Sequence, residues 1–265
     1  MHLRGGAEGA PPCVISRPEP EKEKNKAMKK PFRRRKRGAR VVLRSSVVLT
    51  LGLLLLAGGR MLNRGALLLP ERQPDAQAWN LVLVNGSHFL PEDFSVELTE
   101  VENGQSVDAR IADSLRAMLA DARSAGLDPV VRSGYRSQST QTYLYNRKIR
   151  QYTDKGYAEA EAAAAAARWV APPGTSEHQL GLAVDLVGRS HPVLDKRQEN
   201  TPEQQWLMEH CWEYGFVLRY PSDKSDITGI AYEPWHYRYV GREAAGEMTE
   251  RGLCLEEYLE SLTEP

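Results

Sequence analysis

From Trp79 onward the chain predicts an α+β fold, on three observations. The apolar residues of one long segment recur at helical spacing, several short apolar runs have the length of strands, and no βαβ unit repeats. Hydrophobic residues make up 41% and charged residues 26% of the 265, enough apolar side chain for a sizeable core. The chain contains no internal repeat.

The elements follow in order. Leu81-Val-Leu-Val84 before Asn85-Gly86 reads as a strand meeting a turn, because Asn-Gly accepts the positive φ of a tight hairpin. Ile111, Leu115, Met118, Leu119 and Ala122 predict an amphipathic helix over 108–125, stopped by Gly126. Pro129-Val130-Val131 predicts the next strand. It leads into Arg132-Ser-Gly-Tyr-Arg-Ser137 and a helix over 139–152, and the loop between them is a candidate functional edge. Residues 158–167 are only Ala and Glu, a helix by propensity, with Glu159 and Glu161 near its positive N-terminal end and Pro172-Pro173-Gly174 beyond it. A buried strand is expected over 182–186, a helix over 202–214, short strands over 216–219 and 235–239, and a final helical region from Arg242.

The formal net charge of zero conceals an asymmetry. Residues 1–64 hold 16 Lys/Arg against 4 Asp/Glu, a balance of +12, and the remainder holds 19 against 31, a balance of −12. Lys29-Lys30 and Arg33-Arg34-Arg35-Lys36-Arg37 precede an uncharged stretch at 45–59 rich in Leu and Val. Positive flanks stay cytoplasmic while an apolar run enters the bilayer, so this order marks a signal-anchor or signal peptide. A span needs about 20 residues, and 41–62 reaches that length with Arg44 and Arg60 snorkelling to the interfaces. The expected organisation is a basic cytoplasmic tail at 1–44, a transmembrane signal-anchor at 45–62, a linker at 63–78 containing Pro70 and Pro74, and a folded domain at 79–265. Ala57-Gly58-Gly59 resembles a small-residue cleavage site, so cleaved secretion stands beside anchoring, and both export the folded domain. Topology explains the basic run, and no nucleic-acid partner is expected. Cys13 falls on the cytoplasmic side, while Cys211 and Cys254 fall outside, where they could oxidise together; buried free thiols without chemistry are the favoured reading.

A catalytic zinc needs three N, O or S ligands and one open position for water. His178, Asp185 and His236 supply such a set: the first two lie seven positions apart, a loop residue and its neighbour on the following strand, and the third returns from elsewhere in the chain. Glu233 precedes His236 by three residues with Pro234 between, which disfavours a helix and favours an extended or turn segment. There Glu233 can face the same cleft and act as general base.

The pattern Ser176-x-His178-x-x-Gly181-x-Ala183-x-Asp185 with downstream Glu233-x-x-His236 closely resembles the LAS metallopeptidases, most of all the VanY-type D-alanyl-D-alanine carboxypeptidases. Tyr135-Arg136-Ser137-x-x-x-Gln141 is similar to that family's substrate-binding segment, and by element order the resemblance runs over 79–258. It implies a small central antiparallel sheet flanked by helices, one Zn2+ held by His178, Asp185 and His236, Glu233 as catalytic base, and Arg136 in contact with substrate. An arginine fork suits that post, pairing with a C-terminal carboxylate or stabilising an oxyanion. Ser137, Gln141 and Ser176 are further candidates for substrate or ligand contacts, and Gly181 and Ala183 for close packing of the strand. Arg132 and Arg147 are rivals to Arg136; Trp235 and Tyr237 are expected in the core, and His88, His191 and His210 as structural.

The implied activity is removal of the C-terminal D-alanine from peptidoglycan stem peptides or precursors, by a monomeric catalytic domain on the extracytoplasmic side of a bacterial cell membrane. An L,D-carboxypeptidase of the same family would share metal and base. A serine D,D-peptidase is disfavoured because no Ser has Lys three positions later, and His-Glu-x-x-His is absent too. A non-catalytic peptidoglycan-binding module would be expected to lack the base, which Glu233 supplies. Recruitment of a cytoplasmic partner by the basic tail is compatible with activity outside.

Overall fold

The computed structural model describes residues 78–263. The predicted tail and membrane segment, and all but the last residue of the linker, lie outside them; among the described residues no helix is long and apolar enough to cross a membrane.

A hairpin of β1 (Leu98–Glu102) and β2 (Gln105–Asp108) comes first. Its two-residue turn, Asn103-Gly104, has φ of 54° and 67°, the positive pair that a tight primed turn requires. α1 (Ala112–Ser124) follows a 3-10 turn and buries Leu115, Met118, Leu119 and Ala122, the stripe predicted from spacing. β3 (Pro129–Ser133) leads to α2 (Gln138–Thr153), whose first turn is capped by Ser137 Oγ accepting from Thr140 N. α3 (Glu159–Ala167) packs on α2 through an all-alanine face that includes buried Ala162 and Ala166. Beyond it come β4 (Ala183–Gly188), α4 (Pro202–His210), β5 (Phe216–Leu218), the single turn α5 (Ser225–Thr228), β6 (His236–Tyr239), α6 (Arg242–Arg251) and α7 (Leu255–Thr263).

The main sheet has the order β3-β4-β6-β5 with every pair antiparallel. Alternation along its strands separates two faces. One carries Val184, Leu186, Phe216 and Tyr237 into the core that α1 and α4 cover. The other carries Asp185, His236 and Arg238. The α+β class and the small antiparallel sheet flanked by helices are therefore as the sequence predicts.

One predicted strand is absent. Leu81 and Val84 are buried, yet their segment joins no ladder; the carbonyls of Asn80 and Val82 accept from Arg238 Nη2 at 3.0 and 2.9 Å. A side chain satisfies the backbone where a neighbouring strand would have done so. The turn after it does form, as an isolated bridge between Asn85 and His88. Cys211 and Cys254 are buried free thiols, as expected.

Candidate metal centre and active site

Register places two of the three predicted ligands. Asp185 on β4 lies directly opposite His236 on β6, and Ser133 at the end of β3 lies opposite Asp185 on its other side. Directly opposed side chains on one face are about 5 Å apart at Cβ, so the sheet itself holds carboxylate and imidazole together. His178 arrives from a 3-10 turn, Glu177–Leu180, that ends at Gly181. Gly181 has φ of 73°, and a Cβ there would stand 2.8 Å from Asp108 N. Its glycine is required by left-handed backbone and by the hairpin pressed against the turn, rather than by packing within the strand as its motif position suggested.

The three residues are 2–3% exposed, and one ligand atom from each lies within 4.8 Å of the others. Asp185 Oδ1 is 3.3 Å from His178 Nε2 and 3.2 Å from His236 Nδ1. Atoms bound at about 2.0–2.1 Å to a tetrahedral zinc are roughly 3.3 Å apart, so both of these distances fit that ion. The far nitrogens also have acceptors: His178 Nδ1 lies 2.7 Å from Gly134 O, and His236 Nε2 lies 3.4 Å from Glu177 Oε2. Such partners set the tautomer that leaves the inward nitrogen free to bind a metal.

Electrostatics suits a cation. Burial and the Arg136 charge push His178 down to about 4, so its imidazole is neutral at pH 7. Burial opposes ionisation of Asp185, yet His178 and Arg136 hold it well below the usual carboxylate range. For His236 burial is outweighed by hydrogen bonds to Asp185 and Glu177, which raise it to about 9, so metal uptake must release its proton. Burial, with Asp185 adding, pushes Glu233 up to about 8 against the opposing effect of His236 and Arg136.

Glu233 lies in a turn, His236 N donating to Glu233 O at 3.1 Å, and its Oε2 is 3.7 Å from His236 Nδ1. Arg136 Nη2 donates to Asp185 Oδ2 at 2.6 Å and its Nε to Ser133 Oγ at 2.9 Å, which sets the guanidinium beside the ligand cluster. A cleft of about 560 Å³ joins these groups, and Arg136, Gln141, Ser176, Glu233 and the three ligands all line it. Gln141 is fully buried; its Nε2 donates to Ala171 O at 2.7 Å, and its Oε1 has no partner among the described residues. Ser137 is the exception. Its hydroxyl caps α2 and does not line the cleft, because a serine just before a helix is drawn to the free amides of the first turn.

One further placement differs from expectation, and one residue has no counterpart in the sequence reading. Trp235 lines the cleft, unlike Tyr237, which is in the core as expected with its hydroxyl donating to Gln204 Oε1 at 2.6 Å. Glu177, one residue before a ligand, is wholly buried between Arg219 and Arg238. Spacing gives no signal for it, since those partners lie 42 and 61 positions away. His191 and His210 pair with Asp195 and Glu213, and His88 with Asn85, all consistent with structural roles.

A family model described as VanY, D-alanyl-D-alanine carboxypeptidase, matches residues 104–242. The chain belongs to this family. A D-alanyl-D-alanine carboxypeptidase of Enterococcus faecalis is 46% identical over 189 residues, 71% of this chain and 69% of that protein. Among solved structures, a variant of the vancomycin-resistance D,D-pentapeptidase VanY in complex with Zn(II) is 46% identical, with a TM-score of 0.63, over 69% of this chain and 99% of that one. The LdcB LD-carboxypeptidase shares the fold at 36% identity and a TM-score of 0.58, over 69% of this chain and 86% of that one.

Proposed function

We propose that this chain is a zinc-dependent D-alanyl-D-alanine carboxypeptidase that removes the C-terminal D-alanine from peptidoglycan stem peptides. The observation that carries the reading is the buried cluster of His178, Asp185 and His236 at zinc spacing with Glu233 beside it. Family membership and 46% identity to D,D-acting relatives, against 36% and 35% to L,D-acting ones, favour the D,D-bond over the L,D-bond.

Zinc, when bound by these three residues, polarises the scissile carbonyl and lowers the pKa of a coordinated water to about 7. Glu233 receives the proton of the attacking water and passes it to the leaving amine. Burial raises Glu233 to about 8, while His236, Arg136 and Lys148 favour its ionised form, as a bound metal would. Arg136, anchored by Asp185 and Ser133, brings a fixed positive charge to the developing oxyanion or the substrate carboxylate. The unpartnered Gln141 Oε1 and the buried Ser176 offer polar contacts to the peptide. The order of basic tail and apolar run supports anchoring at 45–62, with 1–44 in the cytoplasm and the catalytic domain facing the wall.

Mass spectrometry of the purified chain on pentapeptide and tetrapeptide stems tests the reading. Loss of one alanine from the pentapeptide alone is expected. Cleavage of the tetrapeptide in preference would assign the L,D-bond, and cleavage of neither would overturn the proposal.

A further inference from the structure

Resting on the zinc-peptidase reading above, we infer that Glu177 is a positioning residue, whose carboxylate selects the metal-facing nitrogen of His236 and couples that histidine to the C-terminal helix.

Glu177 sits in the 3-10 turn beside His178 with its side chain fully buried. Its Oε1 accepts from Arg219 Nε at 2.7 Å and from Arg238 Nη1 at 2.8 Å. Those two donors occupy one oxygen and fix the plane of the group, so Oε2 is left facing His236 Nε2 at 3.4 Å. A carboxylate flanked by two guanidiniums is ionised and can only accept. The proton between them therefore belongs to His236 Nε2, which leaves the lone pair on Nδ1, the atom 3.2 Å from Asp185 Oδ1. Arg238 follows His236 by two residues on β6 and shares its face, so the clamp and the histidine it serves move as one strand.

The coupling extends outward. Arg219 donates from Nη1 and Nη2 to Glu256 Oε2 and Oε1 at 2.8 and 2.7 Å, a two-point pair that joins α7 to the clamp. A buried ionic network is a poor source of stability, since apolar side chains of similar volume often do as well or better. Arg219, Arg238, Glu177 and Glu256 also balance in charge without His236. A role at His236 accounts for Oε2 being turned to the ligand instead of to either arginine. His178 receives the same service from a backbone carbonyl, Gly134 O.

The test uses the full chain, with zinc affinity read by competition against a chromogenic chelator and the protonation of His236 read by 15N-histidine NMR of the zinc-loaded protein. The NMR is expected to show the proton on Nε2 and none on Nδ1. Glu177→Asp keeps the charge but withdraws the carboxylate by one methylene, and Glu177→Gln keeps the length but loses the charge. Each is expected to weaken zinc binding by about 10–100-fold. A folded variant with wild-type zinc affinity, or a proton found on His236 Nδ1, would overturn the inference. Should both variants fail to fold, the wild-type spectrum decides alone. A chain that takes up zinc and cleaves no stem peptide would sink the proposed function, while affinity and spectrum would still judge Glu177.

Discussion

Replacing Glu233 by Gln keeps the side-chain size and removes only the ability to take a proton. A positioned general base contributes about 10²–10⁴ in rate. The structure places this case at the upper end, because no other carboxylate near the cluster is free to substitute. Asp185 is held by Arg136 and is itself a ligand, Glu177 is clamped by Arg219 and Arg238, and Asp195, further along the cleft, is engaged by Arg197 and His191. The expected loss in kcat is therefore about 10³–10⁴, or about 4–5 kcal/mol in the barrier. KM should change little, since proton transfer belongs to the transition state. Initial rates of D-alanine release over a range of pentapeptide concentrations measure both constants, and metal analysis of the same sample should show wild-type zinc content. A variant with kcat within tenfold of wild type, zinc in place, would refute the assignment of Glu233 as base.

Arg136→Lys should reduce kcat/KM by about 10²–10³, because an ammonium cannot hold Asp185 and Ser133 at once and still face the substrate; steady-state kinetics showing less than a tenfold fall would remove Arg136 from the chemistry. Gly181→Ala sets a side chain on a backbone at φ 73° and 2.8 Å from Asp108 N, so denaturant titration should register a loss of at least about 1 kcal/mol, and none would contradict the packing described. With metal chelated, His178 and Glu233 should oppose each other below pH 6.5: His178 destabilises the fold as pH falls towards 4, while Glu233, about 8 when folded and near 4.5 when unfolded, stabilises it. His178 titrates at about 4 when folded and near 6.5 when unfolded, so the unfolded chain takes up the proton first; the stabilisation is complete above 6.5 and its loss amounts to about 3 kcal/mol. His178→Asn should therefore tilt the pH profile of thermal unfolding so that stability rises as pH falls from 6.5 to 4.5, and an unchanged slope would exclude a contribution from His178.

Much of this was legible in the sequence where local chemistry decided the outcome. The stripe of Leu115, Met118, Leu119 and Ala122 and the alanine run formed as their spacing predicts, whereas Asn85-Gly86 gives a turn without the positive φ of a tight hairpin. The ligand set was legible because a zinc site demands few residue types at constrained positions. Longer-range partners were not. β1 and β2, with residues such as Glu100, Glu102 and Gln105, lack an apolar run, although Asn103-Gly104 is the same turn signal that marked the earlier segment. Leu81 to Val84 has strand composition but finds Arg238 in place of a neighbouring strand. Ser137 belongs to a substrate-binding pattern yet is claimed by the helix it precedes. Glu177 carries no signal in the sequence, since only the fold brings Arg219 and Arg238 to it.

The central claim is that one zinc ion, held by His178, Asp185 and His236, drives hydrolysis of a D-Ala-D-Ala bond. The direct measurement titrates zinc into the chelator-stripped chain while D-alanine release from a pentapeptide stem is followed. Activity should rise from background and level off at one equivalent of zinc. Release that is undiminished after stripping, or that remains absent when zinc is restored, would contradict the account.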